Sequence, residues 1–455
     1  MYVKQIRLEN VRGFHGARTV SLDLTRPDGS LAGWTVLAGR NGSGKTTLLR
    51  AVALAIGGPN VARTLSPDFA GWISIGEREG IVDLALTPAP GADRMRGPET
   101  WDFRVGLGWR HFPAEATDLG PVSRQPMLFS HTTMAESPVP DPEYGPWNEN
   151  PDGWLCAAYG PFRRLAGRAG DAQHSGLVHG PAARMANLFH EDAALTEGVT
   201  WLIGQHLRAL ENRPGARKLK DIALSVLGDG LLPDGYRVQD VDSEGLWVER
   251  GAHRFPLREM SDGYRTIAAL VVDLLKQFHD AYGRLDAAVT DGVAVINAPG
   301  VVIIDEVDAH LHVSWQKRIG GWLKRHFPRT QFIVTTHSPY ICQAADPNGL
   351  IRLPGPDEDA PPRIVEQDLY ERIVYGSGDD AVMSELFGLD TPYSEQAVRL
   401  RRELVGLETD VITGRADEQA VHRYEELRDL LTSSPAARVD ELAARLVADA
   451  EQPRP

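Results

Sequence analysis

The residues with the clearest chemical potential form a glycine-rich segment, GRNGSGKT, at positions 39–46. It fits the pattern GxxxxGK[ST], in which the glycines let main-chain N–H groups turn inward around phosphate oxygens. Lys45 is suited to reach the outer phosphates, and the hydroxyl of Thr46 is suited to ligate Mg²⁺. The segment therefore predicts a nucleotide-phosphate site formed by Gly39, Asn41, Gly42, Ser43, Gly44, Lys45, Thr46 and Thr47.

A second candidate is the apolar run VVIIDE at positions 301–306, which predicts a buried strand that ends in two carboxylates. Asp305 is placed to hold Mg²⁺, directly or through water, and Glu306 to polarise a water molecule that attacks a phosphoryl group. Taken alone, the pattern fits a solvated strand end equally well. Its position downstream of a phosphate loop favours the catalytic interpretation.

Two further segments could complete such a site. Ser261 and Gly263 stand where a long helical pattern begins, in REMSDGYR. The serine could simply cap the helix, or its hydroxyl and the neighbouring N–H groups could face a terminal phosphate. His337 directly follows the apolar run FIVTT, where a lone histidine is more often structural than catalytic.

Hydrophobic periodicity predicts the elements that position these residues. A compact strand at 34–38 precedes the phosphate loop, and a helix is expected over 46–56. Buried strands at 301–305 and 331–336 and a helix at 264–282 carry the other motifs. Between residues 88 and 153, prolines and glycines predict a loop-rich region. The last eighty residues are expected to be helical, with apolar stripes at Val421, Tyr424, Leu427 and Leu431 and then at Val439, Leu442 and Leu446.

Composition excludes several classes of protein. Of the 455 residues, 42% are hydrophobic and 24% are charged, which is typical of a chain with a packed core rather than a disordered one. The start of the chain lacks the apolar stretch of a signal peptide, and no apolar run approaches the ~18 residues of a membrane span. We therefore expect a cytoplasmic protein without a membrane partner. Cys156 and Cys342 are too few for a disulfide framework or a zinc site and are expected to be buried thiols.

The net charge of −14, from 48 basic and 62 acidic side chains, argues against a large nonspecific nucleic-acid surface. Two basic clusters could still contact DNA locally, although such runs are more often solvated surface. They are Arg213, Arg217, Lys218 and Lys220, and Arg163, Arg164 and Arg168. DNA is therefore an optional partner.

The order of these motifs resembles that of ATP-binding-cassette (ABC)-type ATPases, in the branch that includes RecF, SMC-like proteins and overcoming-lysogenization-defect nucleases. NVRGF at 10–14 looks like the opening turn of that branch, and EVDAHLH at 306–312 looks like its combined acidic strand end and D-loop. Val307 and Val313 replace the usual prolines there. The stretch from His310 to Pro339 resembles ATPase subunits of bacterial anti-phage systems of the Septu and retron types. YGPFR at 159–163 is similar to a segment of those subunits near the Q-loop position.

The resemblance implies an α/β P-loop NTPase with an ABC-type ATPase head, in which helices flank a mixed sheet. We expect an N-terminal lobe with the phosphate loop, an inserted loop-rich and helical region, a C-terminal lobe, and a linker with a helical tail. Their expected bounds are residues 1–87, 88–243, 244–354 and 355–455.

The same resemblance implies how the site works. Two ATP molecules, each with Mg²⁺, would be held head to tail between two chains, so that the phosphate loop of one faces Ser261 and Gly263 of the other. His337 would steady the γ-phosphate, joining Lys45 and Glu306 as a catalytic residue. Asp308 would lie at the subunit interface. Arg12 is either an extra phosphate contact or an ordinary surface arginine.

The predicted function is therefore an ATPase that dimerises, or forms a higher homo-oligomer, around ATP and switches a partner nuclease or other effector in anti-phage defence. A slow, ATP-gated scaffold that holds a partner protein and a RecF-like DNA-repair ATPase are the alternatives. A self-contained nuclease is disfavoured, because the acidic run at 357–359 lies in a proline-flanked loop without a preceding apolar strand.

Overall fold

The computed structural model describes residues 1–95, 102–111, 125–131, 141–163, 180–191, 195–290, 293–389 and 391–431. Its internal contacts divide the chain into two compact units, Met1–Gly388 and Leu389–Pro455. The lobe boundaries proposed from the sequence stay predictions.

Strands of the first unit form two large sheets, one small sheet and a hairpin. The first sheet has the order β2-β1-β4-β5-β6 and is antiparallel. Its strands are β1 (Tyr2–Glu9), β2 (Val20–Asp23), β4 (Glu79–Thr87), β5 (Phe103–Arg110) and β6 (Met127–Ser130). The second sheet has the order β16-β15-β3-β14-β13-β7, and every pairing in it except β15 with β16 is parallel. Its strands are β3 (Gly33–Ala38), β7 (Cys156–Tyr159), β13 (Gly300–Ile304), β14 (Thr330–Thr336), β15 (Leu350–Arg352) and β16 (Arg363–Ile364). The small sheet and the hairpin comprise β8 (Arg237–Asp242), β9 (Gly245–Arg250), β10 (His253–Pro256), β11 (Ala287–Thr290) and β12 (Val293–Ile296).

Helices lie on both faces of the second sheet. Those of the first unit are α1 (Lys45–Leu65), α2 (Pro181–Phe189), α3 (Thr196–Leu210), α4 (Ala216–Gly228), α5 (Asp262–Tyr282), α6 (Val313–Gln316), α7 (Ile319–His326), α8 (Pro339–Cys342), α9 (Gln367–Val374) and α10 (Gly378–Val382). The mixed sheets with flanking helices confirm the expected α/β P-loop architecture.

The second sheet divides the apolar interior into two cores. Along β13, Val302 and Ile304 face a core that includes α5, whereas Val301 and Ile303 face a core that includes α1 and the first sheet. Because both faces are covered, the strand is a continuous apolar run rather than an alternating one. Helix α1 is consequently packed between the two large sheets.

Helix α1 contains a break close to the helix end that the sequence predicted. The expected helix ended at residue 56, and Gly58, with φ of +78° and ψ of −179°, separates a first helical segment from a second one that runs to Leu65. Pro59 has no N–H to donate to the carbonyl of Ala55. The indole Nε1 of Trp147 donates to that carbonyl instead, at 2.9 Å. A distant tryptophan therefore satisfies the main-chain group that the proline leaves without a helical partner.

The prediction that residues 88–153 are loop-rich missed two strands, β5 and β6. Gly106 and Gly108 interrupt the apolar pattern of β5, yet both are strand residues covered at close range. A Cβ atom on Gly106 would lie 2.5 Å from the carbonyl oxygen of His131, and one on Gly108 would lie 2.2 Å from the Phe129 ring. The glycines mark close packing rather than turns.

The second unit contains α11 (Glu395–Ile412) and α12 (Glu418–Leu431), joined by an ion pair between Arg423 and Glu403 at 2.8 Å. Of the apolar stripe predicted at the start of this region, Leu427 is buried and Val421 is exposed. The stripe at Val439, Leu442 and Leu446 lies outside the described residues.

Two expectations from composition can be compared with the structure. Cys156 and Cys342 are both free and buried, as predicted. Among the described residues, no helix has the length and apolar character needed to cross a membrane.

Candidate nucleotide site

The phosphate loop lies at the carboxyl end of β3, where ligands bind in open α/β sheets. Gly42 and Gly44 have φ values of +78° and +96°, which residues with a side chain rarely adopt. A Cβ atom on Gly44 would lie 2.6 Å from the ring of Phe14, which packs directly beneath the loop. The loop conformation therefore depends on glycine both for its dihedral angles and for space.

Lys45 is the first residue of α1 and is almost fully buried. Its Nζ donates to the carbonyl oxygens of Gly39 and Arg40, at 2.8 and 3.1 Å. Burial lowers the pKa of Lys45, and the nearby charges of Asp305 and Glu306 partly oppose that shift. A buried ammonium with only carbonyl partners is a strong site for phosphate oxygens.

Asp305 connects the phosphate loop with two parallel strands of the second sheet. The Thr46 hydroxyl donates to one carboxylate oxygen at 2.7 Å, and the Thr335 hydroxyl donates to the other at 2.5 Å. Asp305 itself follows β13 and is buried. The hydroxyl of Thr46 and the carboxylate of Asp305, predicted together as metal ligands, are in direct contact.

Glu306 has a left-handed main chain, with φ of +46°, and a half-buried side chain. Its N–H donates to the Thr335 hydroxyl at 2.7 Å, and its carbonyl accepts from Arg163 Nη2 at 2.9 Å. A non-glycine residue in this conformation costs about 1–2 kcal/mol, so the surrounding bonds must maintain it. Thr335 and Arg163 are contacts that the sequence analysis did not predict.

The D-loop is bound to the end of β14. Asp308 Oδ1 accepts from the Thr336 hydroxyl at 2.5 Å and from the His337 main-chain N–H at 3.3 Å. The His337 side chain is exposed. The structure thus brings Asp308, His337 and Glu306 together at the ends of adjacent parallel strands β13 and β14.

Ser261 precedes α5 at the N-cap position, but its side chain makes no capping hydrogen bond. It is exposed. Helix capping by the hydroxyl, one of the two interpretations left open by the sequence, is therefore not observed. A Cβ atom on Gly263 would lie 2.3 Å from the carbonyl oxygen of His310, so the turn packs closely against the D-loop of its own chain.

Arg12 lies in the opening turn, with φ of +52° and its guanidinium 4.8 Å from the centre of the Trp72 ring. The main-chain N–H of Arg12 donates to the carbonyl oxygen of Trp72 at 2.9 Å. Burial and the neighbouring Arg50 lower the pKa of Arg12. Asn41 is exposed, whereas Thr47 is half-buried in the first turn of α1.

The two basic clusters differ. Arg217 and Lys218 are exposed at the start of α4 and line a cavity of about 670 Å³ beside β11. Neither side chain makes an ion pair with a described residue. Arg163, by contrast, is buried, and its bonds to described residues all go to main-chain carbonyls. The option of a DNA contact was therefore wrong for Arg163. Arg164 and Arg168 lie outside the described residues.

The donor set fits a nucleotide with Mg²⁺. The Ser43 hydroxyl, inside the phosphate loop, is buried and has no hydrogen-bond partner among the described residues. Thr46 and Asp305 supply hard oxygen atoms, which Mg²⁺ prefers. Within the part of the chain that is described, no group of three or more His, Cys, Asp or Glu side chains could hold a metal ion. P-loop Mg²⁺ relies on one hydroxyl, one carboxylate, phosphates and water.

Two family models match the chain. One, described as "AAA domain, putative AbiEii toxin, Type IV TA system", matches residues 191–343, and one described as "AAA domain" matches residues 5–86. The second includes the phosphate loop, and the first includes Ser261, Asp305, Glu306 and His337.

Curated relatives agree with these matches. A Septu protein PtuA from Bacillus mycoides (strain KBAB4) is 26% identical over 341 residues, which cover 74% of this chain and 39% of that protein. A retron Ec83 probable ATPase from Escherichia coli is 38% identical over 101 residues, which cover 22% of this chain and 17% of that protein. The chain thus aligns with well under half the length of these relatives. They confirm the resemblance drawn from the motifs.

Among solved structures, the SMC head bound to the C-winged helix domain of ScpA aligns with 80% of this chain and 98% of that chain. The TM-score is 0.47 and the sequence identity is 16%.

Proposed function

We propose that this chain, whose relatives are Septu PtuA proteins and retron ATPases, binds and hydrolyses ATP and thereby switches a partner effector in anti-phage defence. The observation that carries the proposal is one connected set of hydrogen bonds. It joins Thr46 on the phosphate loop to Asp305, Asp305 to Thr335, and Thr335 to the main chain of Glu306. Phosphate-binding, metal-binding and water-activating groups are therefore fixed relative to one another.

Each residue has a distinct task in this proposal. The glycines and N–H groups of the phosphate loop surround the phosphates, and Lys45 neutralises charge on the outer two. Glu306 orients the attacking water, and His337 contacts the γ-phosphate from the next strand end. Thr46 and Asp305 would hold Mg²⁺, which would neutralise negative charge on the phosphates.

A pair of chains would complete two such sites. Ser261 is exposed and makes no capping bond in its own chain, which leaves its hydroxyl and the start of α5 free to contact a nucleotide held by another chain. Contacts made only to a γ-phosphate favour the closed pair with ATP and not with ADP. Asp308 and His310, on the D-loop beside Gly263, would transmit the state of one site to the other.

The cellular role is proposed on the resemblance to Septu and retron ATPases. The effector would be a separate protein, a nuclease in our preferred case. A nucleotide-gated scaffold without turnover and a RecF-like repair ATPase are the competing roles. DNA would contact the exposed cluster at Arg217 and Lys218.

Steady-state ATP hydrolysis by the full chain, with and without Mg²⁺, tests the proposal. We expect Glu306→Gln to lower kcat by about 10²–10⁴-fold while ATP binding persists, because it removes the group that activates water. Glu211→Gln is the matched control, since Glu211 is an exposed glutamate whose ion pair among the described residues is with Arg213.

Three results would contradict parts of the proposal. Binding of ATP without turnover by the wild-type chain would favour the scaffold. Equal turnover by wild type and Glu306→Gln would show that Glu306 does not activate the attacking water. Failure to bind ATP would reject the nucleotide site itself.

A further inference from the structure

We propose that Arg163 is a positioning residue for hydrolysis: its guanidinium fixes the main chain of Asp305 and Glu306 in the conformation from which Glu306 activates water. The inference rests on the proposed ATPase function and adds to it a residue outside the phosphate loop, the acidic strand end and the turn at Ser261. Arg163 is not a catalytic residue in this proposal, because it contacts the chain of Glu306 and not the reacting atoms.

The contacts are specific to the shape of a guanidinium. Nη1 donates to the carbonyl oxygens of Gly160 and Asp305, and Nη2 donates to the carbonyl oxygen of Glu306, each at 2.9 Å. One planar group thus spans two consecutive carbonyls of the strand end and anchors them to the segment after β7. A lysine ammonium is a single point and cannot reproduce this fork.

Burial of the Arg163 guanidinium is energetically unfavourable. The side chain is 3% exposed, and burial lowers the pKa of Arg163 to about 10. It makes no ion pair within 4 Å with a described residue, although the charges of Asp305, Asp308 and Glu306 act on it from nearby. A structural brace alone could be built from neutral groups. A buried arginine at this point supplies both a rigid fork and a positive charge behind three carboxylates.

Glu306 needs such a brace because its φ of +46° is unfavourable for a residue with a side chain. Its N–H is held by the Thr335 hydroxyl, and its carbonyl is held by Arg163 together with the N–H of Ala309. The peptide groups on both sides of Glu306 are therefore fixed. Without Arg163, the preceding Asp305 carbonyl loses its described hydrogen-bond donor, and the segment could relax towards an ordinary conformation.

The segment that leads from β7 to Arg163 is itself held by hydrogen bonds to neighbouring elements. Strand β7 pairs in parallel with β13, and the Tyr159 carbonyl accepts from the N–H of Asp305 at 2.8 Å. The Tyr159 hydroxyl donates to Asp273 in the middle of α5 at 2.8 Å, and the Gly160 N–H donates to the Asn187 side chain of α2 at 2.9 Å. Arg163 is thus tied to helix α5, which follows Ser261, as well as to strand β13, which precedes Asp305.

The test compares three variants of the full chain: Arg163→Met, Arg163→Lys and the control Arg26→Met. Arg26 is also buried, but it lies beside Gly33 at the opposite end of β3 and pairs with Asp346. We expect Arg163→Met to lower kcat by about 10- to 100-fold, with KM and equilibrium ATP affinity within about 2-fold of wild type, because the reacting geometry is lost and the phosphate loop is not. Arg163→Lys should recover little of the loss, and Arg26→Met should leave kcat unchanged.

Hydrogen exchange of the peptide that spans residues 301–308 provides a second readout, independent of turnover. Exchange there should accelerate in Arg163→Met, at a temperature where circular dichroism shows a folded chain, and should not change in Arg26→Met. Wild-type turnover by Arg163→Met, full recovery by Arg163→Lys, or unchanged exchange in Arg163→Met would each overturn the inference. If the wild-type chain hydrolyses no ATP, the proposed function fails, and accelerated exchange alone would then support the brace while unchanged exchange would reject it.

Discussion

At the scale of single residues, the site depends on a few side chains that are buried with unusual partners. Lys45 is the clearest case, since within the described part of the chain its ammonium is bonded to just two groups, the carbonyl oxygens of Gly39 and Arg40. Burial of a cation is costly, and two neutral acceptors offset only part of that cost. Such a group is held ready for anionic oxygens, which would compensate its burial fully.

We therefore expect Lys45→Met to separate nucleotide binding from stability. The apo chain should change in unfolding free energy by no more than about 1 kcal/mol, because removal of a buried charge offsets the two carbonyl bonds that are lost. The wild-type chain should gain about 2.7 kcal/mol at an ATP concentration one hundred times Kd, and the variant should gain none. Thermal unfolding with and without Mg-ATP measures both quantities.

Lys276→Met is the matched control for that experiment. Lys276 is also largely buried, but it lies on α5 and pairs with Asp280 at 3.2 Å. Its loss should destabilise the apo chain and preserve the stabilisation by ATP. An ATP-induced shift that survives in Lys45→Met would show that Lys45 does not hold the nucleotide.

The motif residues were predictable because their chemistry depends on local sequence. Gly42, Gly44, Lys45 and Thr46 are adjacent, and their pattern alone indicates a phosphate loop. Thr335 and Arg163 were not predictable, because each meets Asp305 and Glu306 through strand pairings between β7, β13 and β14. A threonine in an apolar strand and an arginine in a loop carry no local signal of such a contact.

At the scale of elements, α1 shows how a distant residue can stabilise the break between two helical segments. The pattern correctly predicted a helix after the phosphate loop, and its predicted end at residue 56 lies close to the break at Gly58. Gly58 supplies the positive φ of the kink, and Trp147 covers it so closely that a Cβ atom would lie 2.5 Å from the ring. No sequence pattern near the helix could have indicated this donor.

Trp147→Phe should lower the unfolding free energy because the carbonyl of Ala55 loses its hydrogen-bond donor. Phenylalanine keeps an aromatic ring against Gly58 but leaves that buried carbonyl without its donor, at a cost of about 1–3 kcal/mol. Urea unfolding followed by far-ultraviolet circular dichroism measures the change. Trp109→Phe is the control, because Trp109 lies in the same core and its indole N–H has no described hydrogen-bond partner. Equal losses in the two variants would show that ring size, and not the hydrogen bond, accounts for the effect.

At the scale of the whole molecule, the site is proposed to be shared between two chains. Thr46, Asp305 and Glu306 are joined through Thr335 by a continuous set of hydrogen bonds, whereas the exposed Ser261 makes no capping bond in its own chain. Strands β3, β13 and β14 and helix α5 were predicted from the sequence because their apolar runs are compact and regular, whereas β5 and β6 of the first sheet were missed. How two chains meet was expected only from the resemblance, since an interface of this kind forms with the nucleotide as part of its surface.

Ser261→Glu should therefore prevent association without preventing ATP binding. In the Glu306→Gln background, which keeps ATP intact, we expect ATP but not ADP to raise the mass measured by sedimentation velocity. A glutamate at position 261 would place a negative charge against the γ-phosphate held by the other chain, so the ATP-dependent increase should disappear. The phosphate loop of the same chain is unchanged, and its affinity for ATP should stay within about 3-fold of the parent. Ser225→Glu, an identical change at an exposed serine of α4, should still associate with ATP. Association by Ser261→Glu, or association that does not depend on the nucleotide, would show that α5 does not contact ATP across the interface and that any oligomer is held by other surfaces.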